Sequence, residues 1–174
     1  MKRFVSVLLF SLLLQGLQAQ DGIPLLDKVA GKRVHFHYSY SLSRSGADFS
    51  PVTEGKVTVE GNSYILEGLG MKVVSDGSTR WTLDPEAKEA VVEAVQKEDL
   101  FTNPALFIGS YRNYMDKLQV NASGTDSLDV TLTLDEETKA RFVLSGIVYG
   151  EEQGKSDFSM DEKSLSGYLV TDLR

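Results

Sequence analysis

The sequence predicts a mainly β protein with short helices, built on one curved antiparallel sheet. Three observations carry this. Apolar and polar residues alternate in short segments, turn pairs containing glycine separate those segments, and only two pieces look helical with proper boundaries. A chain of 174 residues has room for a single core and needs no disulfide staples to hold it.

The N-terminus stands apart from the fold. Met1-Lys2-Arg3 is basic, 4–14 is an apolar run, and Leu17-Gln18-Ala19 ends on a small residue, which together read as a secretory signal cleaved after Ala19. An eleven-residue run rises only about 16 Å as a helix, short of the ~30 Å hydrocarbon core, so it is no transmembrane anchor. Residues 20–174 are then expected to be one exported, periplasmic, soluble domain, more acidic than the precursor because Lys2 and Arg3 are lost.

Along that domain, Asp21-Gly22-Ile23-Pro24 opens a short amphipathic helix carrying Leu25, Leu26 and Val29. Segment 33–43 puts Val34, Phe36, Tyr38, Tyr40 and Leu42 on one face and His35, His37, Ser39 and Ser41 on the other, a long half-buried strand. Segments 56–60 and 63–67 flank Gly61-Asn62, and 71–75 and 78–83 flank Asp76-Gly77, a favoured type I′ pair, so two consecutive hairpins are expected. The stretch 84–95 conflicts: Asp84-Pro85-Glu86 followed by Ala87, Ala90, Val91, Ala94 and Val95 fits a helical stripe. Asn103-Pro104 is a cap with proline at the first helical position, ahead of Leu106, Phe107, Ile108 and Tyr111. Segments 116–121, 128–134 and 140–149 alternate again, and 155–160 with 167–171 reads as a last antiparallel pair with no room for a parallel crossover.

The search for chemistry excludes more than it finds. A formal charge of -7 lacks the cationic footprint that nucleic acid requires, and the absence of cysteine removes disulfides, thiolate catalysis and Cys-based zinc sites. There is no G-x-S-x-G elbow and no H-E-x-x-H. His35 and His37 share a strand face but lack a third histidine, and read as solvent-facing imidazoles. Residues 150–156 have three residues between glycines where a phosphate loop needs four, and Asp135-Glu136-Glu137 lacks a calcium loop, so both read as turns. No catalytic residue, metal site or cofactor is predicted, and a non-enzymatic role is expected.

The apolar face is the lead. Val34, Phe36, Tyr38, Tyr40, Val57, Val59, Tyr64, Leu66, Met71, Val73, Trp81 and Leu83 are the residues that alternate inward, and only two helical pieces are available to cover them. Such a face is either the core of a closed barrel or sandwich, or the wall of a cavity that holds something apolar.

Segments 55–64 (Gly-Lys-Val-Thr-Val-Glu-Gly-Asn-Ser-Tyr) and 75–85 (Ser-Asp-Gly-Ser-Thr-Arg-Trp-Thr-Leu-Asp-Pro), with Asn103-Pro104 and the ending 158–174, resemble in order the periplasmic outer-membrane lipoprotein carrier (LolA-like) family. The S-D-G-x-T-x-W hairpin is the most specific element. The resemblance implies an unclosed antiparallel β half-barrel with a helical lid over an apolar cavity, and it implies a strand rather than a helix at 89–95. It further implies a carrier that takes the acyl chains of lipoproteins toward the outer membrane. Partners would be acylated lipoproteins or other lipid, an inner-membrane release complex and an outer-membrane acceptor; nucleic acid is not expected, and the carrier would be a monomer. The implied cavity residues are Phe36, Tyr38, Tyr40, Val57, Val59, Tyr64, Leu66, Val73, Trp81 and Leu83, with Leu25, Leu26, Leu106 and Phe107 on the lid. Well-known carriers latch the lid with an arginine on the strand after the hairpin, and 60–64 has none. A lipid or lipoprotein sensor on the same half-barrel is the alternative, since one fold serves several functions.

Overall fold

The computed structural model describes residues 21–96, 103–151, 155–161 and 163–174. The expected signal segment and part of the 150–156 turn lie outside the described residues. Among the described residues ten strands form one sheet: β1 (Val34–Arg44), β2 (Ser50–Glu60), β3 (Ser63–Gly68), β4 (Met71–Ser75), β5 (Thr79–Asp84), β6 (Glu89–Ala94), β7 (Leu118–Ala122), β8 (Leu128–Thr133), β9 (Thr138–Tyr149) and β10 (Leu169–Asp172). Their order is β10-β6-β5-β4-β3-β2-β1-β9-β8-β7, so the edges β10 and β7 do not meet and the half-barrel stays unclosed. Helices α1 (Ile23–Ala30) and α2 (Pro104–Ser110) lie on its inner face, and a 3-10 turn (Tyr111–Lys117) follows α2.

The helices begin where local chemistry dictates. Asn103 Oδ1 accepts the Ala105 N–H at 2.9 Å and Pro104 opens the first turn, which satisfies a donor that the helix itself cannot. Helix α1 has no side-chain cap; it is pinned to the edge strand β7 instead, by Gly22 N donating to Val120 O at 3.3 Å and Ala122 N donating to the Asp21 carboxylate at 3.1 Å. Residue 22 must be glycine for this approach, since a Cβ there would lie 2.6 Å from Val120 Cγ1.

Both predicted hairpins form. The β4–β5 connection is not the expected type I′ pair, however. Among the described residues around it only Gly77 takes a positive φ, and the Asp76 carboxylate accepts the Ser78 and Thr79 N–H groups, each at 2.8 Å, making a three-residue loop.

The conflict at 84–95 resolves as strand. Asp84 Oδ1 accepts from Glu86 N and Ala87 N, each at 2.9 Å, and Lys88 turns left-handed (φ 59), so the would-be cap becomes a hairpin turn. Strand β6 then pairs with β5, Trp81 opposite Val92 and Leu83 opposite Ala90. Cross-strand packing outweighs the local helical periodicity.

The end of the chain departs from the antiparallel expectation. Residues Lys155–Phe158 form a 3-10 turn, and β10 pairs parallel to β6, with Leu169 opposite Glu89 and Leu169 N donating to Lys88 O at 2.7 Å. A parallel neighbour needs a long connection, and here everything from α2 to β9 intervenes. The last residues before β10 cross the outer face, where Met160, Leu165 and Tyr168 pack on Val74, Trp81, Leu83, Ala90 and Val92. Arg33 holds this tail down: it donates to Glu60 at 3.3 Å and to Asp157 at 3.1 Å, and its guanidinium lies 5.0 Å from the ring of the fully buried Phe158.

Candidate ligand-binding site

The inner face divides into two unlike regions. Across β1, β2 and β7–β9 it is sealed. Phe36, Tyr38, Tyr40, Val57 and Val59 are buried with Val120, Val130, Phe142 and Leu144, and lid residues Leu26 and Phe107 are part of the same cluster. The Phe142 ring stacks on Tyr40 at 4.9 Å and on Phe107 at 5.4 Å, so α2 is wedged into the sheet by three aromatic rings. Burial pushes the Tyr38 and Tyr40 phenols up, keeping them neutral.

Across β3–β6 the inner face is less covered. Leu66 opposes Val73, Val73 opposes Thr82 and Thr82 opposes Val91, and all four of these residues are only half-buried. Leu25 and Leu106 on the lid are likewise partly buried against the core. The neighbouring row runs Tyr64, Ser75, Arg80, Glu93, with Tyr64 and Ser75 buried and Arg80 donating to Glu93 Oε1 through Nε at 3.2 Å and Nη2 at 3.0 Å.

At the margin of this row a cleft of about 490 Å³ opens between α2, the 3-10 turn and the hairpin turns, lined by Asn62, Gly77, Ser78, Val95, Gln96, Leu106, Ser110, Asn113 and Tyr114. The lid and the first hairpin touch beside it: a side chain at Gly109 would meet Asn62 Oδ1 at 3.2 Å. Of these cleft residues the sequence reading assigned only Leu106 to a site, as part of the lid. Most of the others are uncharged polar residues at turns and element ends, without the periodicity that marks a strand face.

Trp81 and Leu83 are corrections. Both belong to the cluster under the C-terminal tail, on the outer face, because Trp81 pairs with Val74 and Thr82 is the residue opposite Val73. The remaining expected cavity residues do share the inner face with the four lid residues, though most of them pack there as sealed core.

The lid is clasped to itself. Asp27 of α1 accepts hydrogen bonds at one carboxylate oxygen from the Tyr111 hydroxyl and from Arg112 Nη2, and Arg112 Nε donates to the Tyr111 hydroxyl oxygen at 3.2 Å. The Arg112 guanidinium, and then the Tyr111 hydroxyl, hold the Asp27 carboxyl below its usual range. Lys28 adds a second tie between α1 and the sheet, its ammonium 4.1 Å from the centre of the Tyr149 ring.

His35 and His37 are exposed on the outer face, and His35 Nδ1 lies 2.8 Å from Thr58 Oγ1. Among the described residues no group of three or more His, Cys, Asp or Glu side chains could hold a metal ion. Asp135 serves its turn, accepting Glu137 N at 2.9 Å and Thr138 N at 2.7 Å. Among the described residues no helix is long and apolar enough to cross a membrane.

Among the described residues, fold and site together define an open, mostly antiparallel half-barrel with two short α-helices over a partly covered apolar inner face. Among solved structures the chain is similar to a LolA superfamily protein from Nitrosomonas europaea, at 8% identity and a TM-score of 0.47, covering 83% of this chain and 99% of that one. No family model matches the chain, and no curated protein matches it. The fold described here rests on the strand pairings themselves.

Proposed function

We propose that this protein is a periplasmic carrier that takes acyl chains, with lipoproteins as the cargo class, against the inner face of β3–β6. The observation that supports it is the apolar row Leu66, Val73 and Val91 on the inner face, each only half-buried, with Leu106 of the lid likewise partly buried. The energetics suit transport. Each acyl methylene withdrawn from water is worth about 0.8 kcal/mol, but a bilayer offers the same gain, so a carrier need only come close to the membrane's affinity to exchange cargo with it. A partly covered trough meets that requirement better than a sealed pocket would. Nothing in the reading calls for catalysis, and the resemblance in the 75–85 hairpin points the same way.

The test is native mass spectrometry of the full chain exported to a bacterial periplasm, paired with titration of a fluorescent fatty-acyl probe. Co-purified acylated species and saturable probe binding are expected. A lipid-free exported protein that also fails to bind the probe would overturn the carrier reading.

A further inference from the structure

We infer that the cleft between α2 and the hairpin turns is a head-group subsite for the uncharged, hydrogen-bonding part of an acylated ligand, an amide or hydroxyl rather than a phosphate. This rests on the carrier reading and adds a chemical selectivity to it.

The cleft is placed for such a role. Ser78 and Val95 lie just beyond the ends of β5 and β6, two residues from Arg80 and Glu93, and Val95 N donates to Ser78 O at 2.9 Å, so the cleft continues from the end of the inner face. Leu106 belongs to both the lid core and the cleft wall. Between the Leu66–Val73–Val91 row and the cleft lies the row of Ser75, Arg80 and Glu93, so an acyl chain would cross the Arg80–Glu93 pair, whose charges offset each other, and the group joined to that chain would arrive among Asn62, Ser78, Gln96 and Asn113.

The donors there are selective. Three carboxamides, two serine hydroxyls and the Tyr114 phenol line the cleft, and among the described residues none of its lining side chains carries a charge. Carboxamides and hydroxyls donate and accept at once, which matches an amide, ester or alcohol. A phosphate needs cationic or convergent N–H donors to replace its hydration. Arg80 is the cation along the same face, and it is committed to Glu93 by two N–H bonds. An anionic head group in this cleft would lose water without a compensating charge.

The experiment compares amphiphiles that share one saturated chain and differ only at the head: an N-acyl glycinamide, a monoacylglycerol and a lysophosphatidic acid, each displacing a fluorescent acyl probe from the full-length protein. The two neutral ligands should bind about tenfold more tightly than the phosphate. Asn62, Ser78 and Asn113 are exposed, so substitutions there spare the core. The double substitution Asn62→Ala with Asn113→Ala should reduce the preference to near unity while the acyl probe still binds, and Ser78→Lys should reverse it toward the phosphate. Equal binding of all three heads by the unmodified protein, or a ratio that neither variant moves, would overturn the subsite and leave the carrier reading standing. Failure of every amphiphile and of the probe would overturn both.

Discussion

The two halves of the sheet bury opposite faces. In β1, β2 and β7–β9 the inner face is packed under the lid while the outer face shows His35 and His37 to solvent. In β3–β6 the outer face carries the closed cluster of Val74, Trp81, Leu83, Ala90 and Val92 under the tail, and the inner row of Leu66, Val73 and Val91 is left half-covered. A sheet needs one well-buried side to stay folded, and the second half obtains it from outside. Beyond the buried Tyr64 and Ser75 its inner side thereby carries less of the packing, which is the condition a binding trough requires.

The sealed half should break hardest. Phe142→Ala removes the ring between Tyr40 and Phe107 from a fully buried site, and a loss of about 3–5 kcal/mol in denaturant unfolding is expected. A loss under about 1 kcal/mol would mean that this half is as loosely filled as the other. Val73→Glu tests the open half. The carboxylate can reach water at a half-buried position, so unfolding stability should change little while acyl-probe binding falls at least about tenfold from charge placed on the acyl path. If Val73→Glu unfolds the protein as severely as Phe142→Ala, the inner row is core and the comparison between the halves collapses.

Much of this division could be read from the sequence, and its limits have definite physical causes. The alternation of Val34, Phe36, Tyr38 and Tyr40 against exposed His35 and His37 gave strand and face together, because that strand has one buried side. Strand β4 has apolar residues on both sides, Met71 and Val73 on one and Val74 on the other, while β5 has them on one side alone, so alternation identifies an apolar set without saying which face it takes. Register decides it: with Ser75 opposite Arg80, Val73 opposes Thr82, and Trp81 is carried to the outer face with Val74. The outer cover was not legible because Met160, Leu165 and Tyr168 are far in sequence from the strands they cover. The strand at 167–171 was legible but its partner was not, for the same reason: β10 pairs with β6, from which β7–β9 separate it in sequence. The cleft was hidden among turn residues such as Asn62 and Ser78, whose identity local turn chemistry explains equally well.

The smallest effect on stability concerns the lid that spans both halves. Asp27, Tyr111 and Arg112 join α1 to the turn after α2, and Asp27 and Arg112 are both open to solvent, so the clasp is screened and adds little to global stability. Its effect should fall on lid motion. The folded carboxyl titrates below its usual value because Arg112 and then Tyr111 favour the charged form, so the contribution is fully present above the unfolded-state pKa and is lost as pH falls through the folded one. At neutral pH the clasp is closed, and only acid below the ordinary carboxylate range should open it. Asp27→Asn removes the charge at every pH. The variant should unfold at nearly the same temperature as the parent, yet its α1 and α2 amides should exchange hydrogen faster at neutral pH, while those of β8 and β9 keep their protection. Probe release from the parent should quicken as the solution is acidified through the folded pKa of Asp27, and release from the variant should show no such step. Unchanged exchange in both helices of the variant would show that the wedge of Phe107 against Phe142 holds the lid unaided.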